Sequence, residues 1–365
     1  MDVYEALQEK LNRHAMGAPK REEFLEILRL LFTPEEAELA AHLPFAPQRV
    51  DEIAQALGRP EAEVVRLCEQ MADKTLLYSY DMRGTTLYML FPSAPGLFEF
   101  PIMKNAVSPG SIPNVDFGRL GKLWWRYHDD GWGLEMGSSS TPAARVIPVQ
   151  KAITPDLHVY AYEEVANFVN NSKYVAISEC PCRVSQHNCD APTDVCMAFG
   201  YGAKFLAERG AARLVTKEEA MATLKRAEDA GLVHCASNTR DKVEYICNCC
   251  PCCCGILGIV TRLDGAVSRP QSNFYSTVIA DNCTDCGICV DRCPTKAITL
   301  GDVAVVDTPK CIGCGLCVSG CGFEAMALVR RENSVEPPAD NKELYAALAM
   351  EKGRAEGFLE NLTAS

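Results

Sequence analysis

Two copies of one cysteine pattern stand near the C-terminal end of the chain. The first is Cys283-x₂-Cys286-x₂-Cys289-x₃-Cys293-Pro294 and the second Cys311-x₂-Cys314-x₂-Cys317-x₃-Cys321-Gly322. Three thiolates at x₂ spacing can wrap one face of a cubane iron–sulfur cluster, while the fourth cysteine points away from it. Zinc also favours Cys-x₂-Cys pairs, but a tetrahedral ion needs only four ligands and gives no reason for the repeated third and fourth cysteines. The pattern therefore points to iron–sulfur chemistry.

Each half reads as strand, cysteine turn, short helix and strand, in "NCTDCGICVDRCPTKAITL" and "KCIGCGLCVSGCGFEAMAL". Over residues 275–332 this resembles the bacterial ferredoxin domain with two [4Fe–4S] clusters. The resemblance implies a crossed ligand set, with Cys283, Cys286, Cys289 and Cys321 on one cluster and Cys311, Cys314, Cys317 and Cys293 on the other. Ile288, Val290, Ile298, Ile312, Leu316 and Val318 are the side chains expected to shield the clusters from water. Gly322 stands where the family pattern has proline, which leaves a backbone N–H after Cys321 without removing a ligand.

A chain of 365 residues, of which 48% are hydrophobic and 23% charged, fits two or three globular domains with cores of their own. Its 20 cysteines would suggest a disulfide scaffold in a short secreted chain. Here the opening "MDVYEALQEKLNRHAMG" is a charged amphipathic helix without an apolar signal core, so a cytoplasmic setting and metal ligation are expected. Exposed cubanes favour an anaerobic cell. The longest apolar runs, such as "CCCGILGIV", fall short of the roughly 20 residues of a membrane span. A net charge of −12 argues against a general nucleic-acid binder.

Thr33-Pro34-Glu35-Glu36 starts a helix with a capping box and proline at the first position. The helical stretches "RVDEIAQALG" and "PEAEVVRLCEQMADKTLL" follow, and then the alternating pair "LLYSYDMRGTTLYMLF". Residues 20–95 resemble the winged helix-turn-helix family, whose second helix often enters the DNA major groove. Residues 45–95 carry five basic and seven acidic side chains, a balance that repels phosphates. Protein contact or self-association is the expected use, and DNA binding is not. Cys68 in this helix reads as a buried small hydrophobe.

Residues 106–157 read as an irregular linker whose Trp124, Trp125 and Trp132 pack against a neighbouring domain. Residues 158–265 read as a cysteine-rich α/β domain. There the strand "YVAISEC" leads to Cys180-Pro181-Cys182-Arg183, Cys189 follows, and Asp190-Ala-Pro192 is expected to open a helix bearing Cys196. A helix capped by Thr216 runs to Gly231. The strand "VEYICNC" feeds Cys247, Cys249, Cys250, Cys252, Cys253 and Cys254.

Two thiolates about 4 Å apart repel by roughly 4 kcal/mol at an effective dielectric near 20, about three pKa units. Six thiols in eight residues thus call for a cation. At least one further iron–sulfur cluster is expected, in preference to zinc because of the neighbouring clusters. Its four ligands are to be drawn from Cys182, Cys189, Cys196, Cys249, Cys250 and Cys253. His187 and His234 lie near enough in sequence to replace a thiolate, although a partly solvated histidine is the plainer reading of each.

The whole layout is similar to iron–sulfur proteins of anaerobic bacteria, and expected boundaries are 1–105, 106–157, 158–265, 270–332 and a helical tail at 333–365. The fold class is multidomain α+β: winged helix, α/β cysteine-rich middle and ferredoxin-like dicluster domain. No Cys-x₃-Cys-x₂-Cys, G-x-G-x-x-G or G-x₄-G-K-[ST] occurs, so radical S-adenosylmethionine and nucleotide chemistry have no motif behind them. Cys253-Cys254-Gly255 resembles the cysteine-rich motif of heterodisulfide reductases, without that family's long-range spacing. Electron transfer to a redox partner protein is the expected function. The alternatives are an oxidoreductase acting at the middle cluster and a cluster-sensing transcriptional regulator.

Overall fold

A computed structural model describes residues 2–263 and 265–358. The N-terminal part runs through α1 (Val3–Asn12), α2 (Glu22–Leu31), α3 (Pro34–Ala40), β1 (Gln48–Arg49), α4 (Val50–Leu57), α5 (Glu61–Asp73), β2 (Leu77–Met82) and β3 (Thr85–Leu90). Thr33 caps α3 as its sequence implies: its hydroxyl accepts from Glu36 N–H while the Glu36 carboxylate accepts from Thr33 N–H. The β2–β3 hairpin pairs Leu77 with Leu90 through to Met82 with Thr85, and β1 adds to β3. Cys68 is fully buried in α5, and burial pushes its thiol up to about 12.

The segment expected as an irregular linker is largely ordered structure. It contains the end of α6 (Glu99–Val107), then α7 (Phe117–Tyr127), α8 (Gly133–Met136) and β4 (Ala144–Ile147). Gly118 and Gly121 mask a helical repeat in which Leu120, Leu123, Trp124 and Tyr127 are all buried. Trp124 packs edge-on to Phe24 and Phe98, at ring separations of 5.8 and 5.4 Å, which ties this segment to α2.

The middle part adds α9 (Val165–Asn171), β5 (Val175–Ser178), α10 (Pro181–Gln186), β6 (Cys196–Phe199), α11 (Gly200–Glu208), β7 (Arg213–Leu214), α12 (Lys217–Asp229), β8 (Val233–Ser237), β9 (Tyr245–Cys249) and α13 (Gly255–Thr261). Its sheet has six strands in the order β4-β8-β9-β6-β5-β7. Every pairing is antiparallel, so the expected α/β layer is an antiparallel α+β sheet. Cys196 lies in β6 and not in a helix, because the apolar run Val195 to Phe199 pairs with β5 instead of winding on from Pro192.

The C-terminal part comprises β10 (Phe274–Val278), α14 (Ile288–Asp291), β11 (Ile298–Leu300), β12 (Ala304–Val306), α15 (Leu316–Gly320), β13 (Met326–Arg330) and the tail helix α16 (Asn341–Glu351). Strands β10 and β13 pair antiparallel, as do β11 and β12. Among the described residues no helix is long and apolar enough to cross a membrane.

Candidate metal centre

Sheet register assembles the middle cysteines. Ser178 pairs with Cys196, Cys235 with Cys247, and Val146 with Cys235, while the β6–β9 register sets Cys196 beside Cys247. One row across the sheet therefore reads Ser178, Cys196, Cys247, Cys235, Val146, all on one face. Cys249 shares that face two residues along β9, and Cys254 caps α13, its sulfur accepting from Leu257 N–H at 3.5 Å. Cys180 and Cys182 reach the same place from the end of β5 and the first turn of α10. Seven sulfurs thus converge.

Neighbouring thiols shift one another. The nearness of Cys182 and Cys196 holds Cys180 below the ordinary thiol range, that of Cys196 and Cys249 holds Cys247 at about 6, and that of Cys182 and Cys249 holds Cys254 low, while Cys182, Cys196 and Cys249 are themselves pushed well above it. Cys254 and Cys249 lie 3.0 Å apart, sulfur to sulfur. The buried Arg183 guanidinium, donating to Asn248 O at 2.9 Å, stands close enough to Cys180 to offset part of that charge.

The six cysteines 180, 182, 196, 247, 249 and 254 form one wall of a cavity of about 870 Å³. Tyr78, Phe91, Phe98 and Glu99 from the N-terminal part, Trp124, Trp125 and Trp132, and Tyr345 from the tail supply much of the remainder. Trp125 Nε1 donates to Ser185 Oγ at 2.9 Å and so fixes α10 beneath Cys182. The indole N–H groups of Trp124 and Trp132 are buried and have no hydrogen-bond partner. Desolvation raises the Glu99 carboxyl to about 8, although it accepts from Gly96 N–H at 2.7 Å.

The remaining cysteines of the middle part form a second group on the other side of the β9 turn. Cys189, Cys250, Cys252 and Cys253 have all their sulfurs within 4.8 Å of one another. Of the six ligands expected from sequence, Cys189, Cys250 and Cys253 fall in this group, and Cys182, Cys196 and Cys249 in the other. The structure does not bring the six together. Cys252, Cys180, Cys247, Cys254 and Cys235 were outside that set, and strand parity along "YICNC" is the signal that separates 247 and 249 from 250. His187 is exposed. His234 is buried facing away from Cys235, its Nδ1 2.5 Å from Asn248 Oδ1, and burial lowers it to about 4.

In the C-terminal part the first of the expected ligand sets is superficial and the second deep. Cys283, Cys286, Cys289 and Cys321 line one small hollow with Ile288 and Phe323, and Cys286 is exposed. Cys314 and Cys317 are buried, and Cys293 lies near enough to act electrostatically on both. The sulfurs receive backbone donors: Ala304 N to Cys283 at 3.5 Å, Ala325 N to Cys321 at 3.3 Å, Ser276 N to Cys311 at 3.4 Å and Ala297 N to Cys293 at 3.1 Å. Ser276 Oγ adds a contact to Cys317 at 2.9 Å. Donors aimed at sulfur fit thiolates that carry a cluster. Of the six expected shielding residues, Ile298, Ile312 and Leu316 are buried, Val290 and Val318 partly so, and Ile288 is exposed.

Residues 277–322 match the family model of the 4Fe-4S dicluster domain. No curated protein and no solved structure matches the chain. Residues 277–322 thus form a 4Fe-4S dicluster region, and the middle part holds a cysteine group, Cys189, Cys250, Cys252 and Cys253, that could hold a metal.

Proposed function

We propose that this is an iron–sulfur electron-transfer protein in which the dicluster region exchanges electrons with a further iron–sulfur site on the cysteine wall of the cavity. When bound, clusters of this kind supply one-electron transfer. One observation carries the reading: Cys314 of the deep ligand set shares a single apolar core with Cys235, Cys249 and Cys254 of the middle part. The contact is close. Val149 N donates to Cys314 O at 3.0 Å, and Lys151 Nζ donates to Ser319 O at 2.9 Å. A Cβ on Gly315 would lie 2.5 Å from Ala152 Cβ.

The first ligand set therefore opens to the surface, and the deep set packs against the middle part. Exposed Cys286, with Ile288 and Phe323 beside it, offers a face to a redox partner protein, and the deep set faces the cavity wall. Residues 20–95 fit a winged helix in element order, and we assign it to protein contact. Glu69 of α5 is engaged by Arg209 of the middle part at 3.0 Å, with Asp73 on the same guanidinium.

A second reading is favoured by the cavity itself. Its volume lies within the range of ligand sites, and it is lined by aromatic rings and by Glu99, whose carboxyl burial raises to about 8. A reductase acting there on an aromatic or apolar molecule would find a proton at Glu99 beside the thiol wall. Both readings need a cluster at that wall. The test is anaerobic iron and acid-labile sulfide quantitation with EPR on the full chain. Iron beyond two cubanes should be present and should be lost in Cys196→Ser with Cys247→Ser, while the dicluster signals persist. Iron and sulfide for two cubanes only would overturn it.

A further inference from the structure

We infer that Cys189, Cys250, Cys252 and Cys253 bind a single zinc ion, a site distinct in chemistry from the cysteine wall next to it. The sulfur geometry is the reason. Zinc–thiolate bonds of about 2.3 Å in a tetrahedron place the sulfurs about 3.8 Å apart. Here Cys189 lies 3.7 Å from Cys250 and 3.9 Å from Cys253, and Cys252 lies 3.8 Å from Cys253. On a cubane each thiolate binds a different iron at a corner of the cube, so the four sulfurs must stand much farther apart. The same chain provides the contrast. Among the described residues no other three cysteine, histidine or acidic ligand atoms lie within 4.8 Å of one another, neither in the dicluster region nor on the cavity wall.

The surroundings suit a tetrathiolate, whose net charge with zinc is negative. Backbone N–H groups of Ala191 and Asn188 lie near Cys189 and Cys253, and the Arg183 guanidinium lies near Cys250. Such donors steady a metal-bound thiolate. Zinc is preferred over a lone ferrous ion because divalent zinc binds a given ligand set more tightly. The ion would join the loop after α10 to the turn after β9. That turn lies between Cys249 and Cys254, so zinc would fix two sulfurs of the cavity wall without contributing to electron transfer.

The experiment uses the full-length protein purified anaerobically, with metal analysis and zinc K-edge absorption. The expected result is one zinc per chain with a shell of four sulfurs at about 2.3 Å. Cys189→Ser combined with Cys252→Ser should bring zinc close to zero while iron, sulfide and the dicluster EPR signals stay at wild-type levels. Wild-type protein without zinc, a shell containing nitrogen or oxygen, zinc that persists in the double variant, or iron and sulfide lost in its place would overturn the assignment. The absorption spectrum of the wild type decides the matter even if the double variant does not fold.

Discussion

Ser276 offers a clean test of how the chain sets the properties of its deep ligand set. Its hydroxyl is buried on β10, 2.9 Å from Cys317 Sγ, while its backbone N–H separately donates to Cys311 at 3.4 Å. Ser276→Ala removes the first bond and keeps the second. A hydrogen bond to a charged acceptor contributes about 1.5–3 kcal/mol. The hydroxyl serves both oxidation states, so only its stronger hold on the more negative, reduced state counts, on the order of 1 kcal/mol. One electron per tenfold change corresponds to about 59 mV, so the potential should fall by about 40 mV. EPR-monitored redox titration under nitrogen would read both couples in one experiment. The couple we assign to Cys311, Cys314, Cys317 and Cys293 should move down, and the one we assign to Cys283, Cys286, Cys289 and Cys321 should not. Ser276→Thr, which keeps the hydroxyl, should restore the wild-type value. An unchanged or raised potential in Ser276→Ala would refute the reasoning.

Cys286→Ala removes an exposed ligand and should convert or lose one cluster, leaving the other intact, which iron counting and EPR would show; loss of both would contradict the crossed assignment. Gly315 combines a φ of +77° with close approach to Ala152. Gly315→Ala should therefore cost about 1–2 kcal/mol from backbone conformation alone and loosen the dicluster region from the middle part, seen as faster proteolysis between them. The Glu99 carboxyl is raised to about 8 by desolvation, so its native form holds a proton that the unfolded chain releases near pH 4.5. Stability is then intact below pH 4.5 and is lost as pH rises to 8. The loss is about 2–3 kcal/mol once water reaching the cavity wall is allowed for. Glu99→Gln should flatten that part of the denaturation-versus-pH profile, and an unaltered profile would argue against a protonated Glu99.

Where local spacing determines geometry, the residues announced the outcome. The x₂ spacing marked the dicluster region, and the Thr33 capping box placed α3. What stayed hidden depended on long-range pairing. Cys196 reads as helical from Pro192 onward, yet β5 claims it as a strand partner. The cavity needs Phe91, Trp124, Cys247 and Tyr345 from four separate stretches, and no local pattern joins them. Cys235 stands alone in "LVHCASN" and comes beside Cys247 of the cysteine wall only because β8 pairs with β9. Ser276 shows itself only as a polar residue on the inward face of a strand.

The run from Cys247 to Cys254 shows how one short segment serves two purposes. While the chain remains a strand, side chains alternate between faces. Tyr245, Cys247 and Cys249 therefore look into the cavity, while Ile246 and Asn248 look to the opposite side. Past Cys249 the pairing stops and the turn carries Cys250, Cys252 and Cys253 toward Cys189. The chain then enters α13, whose first turn returns Cys254 to the wall. Six thiols that would repel one another in a single site are thus divided, three to the wall and three to the compact group. The division depends on where the strand ends. Shifting β9 by one residue would turn Asn248 to the wall and withdraw Cys247 and Cys249 from it. The bonds that pin this register are those to Asn248: its carbonyl accepts from Arg183, its side chain donates to Val195 O, and its Oδ1 meets His234. Asn248 touches none of the sulfurs, yet it keeps the two cysteine groups apart.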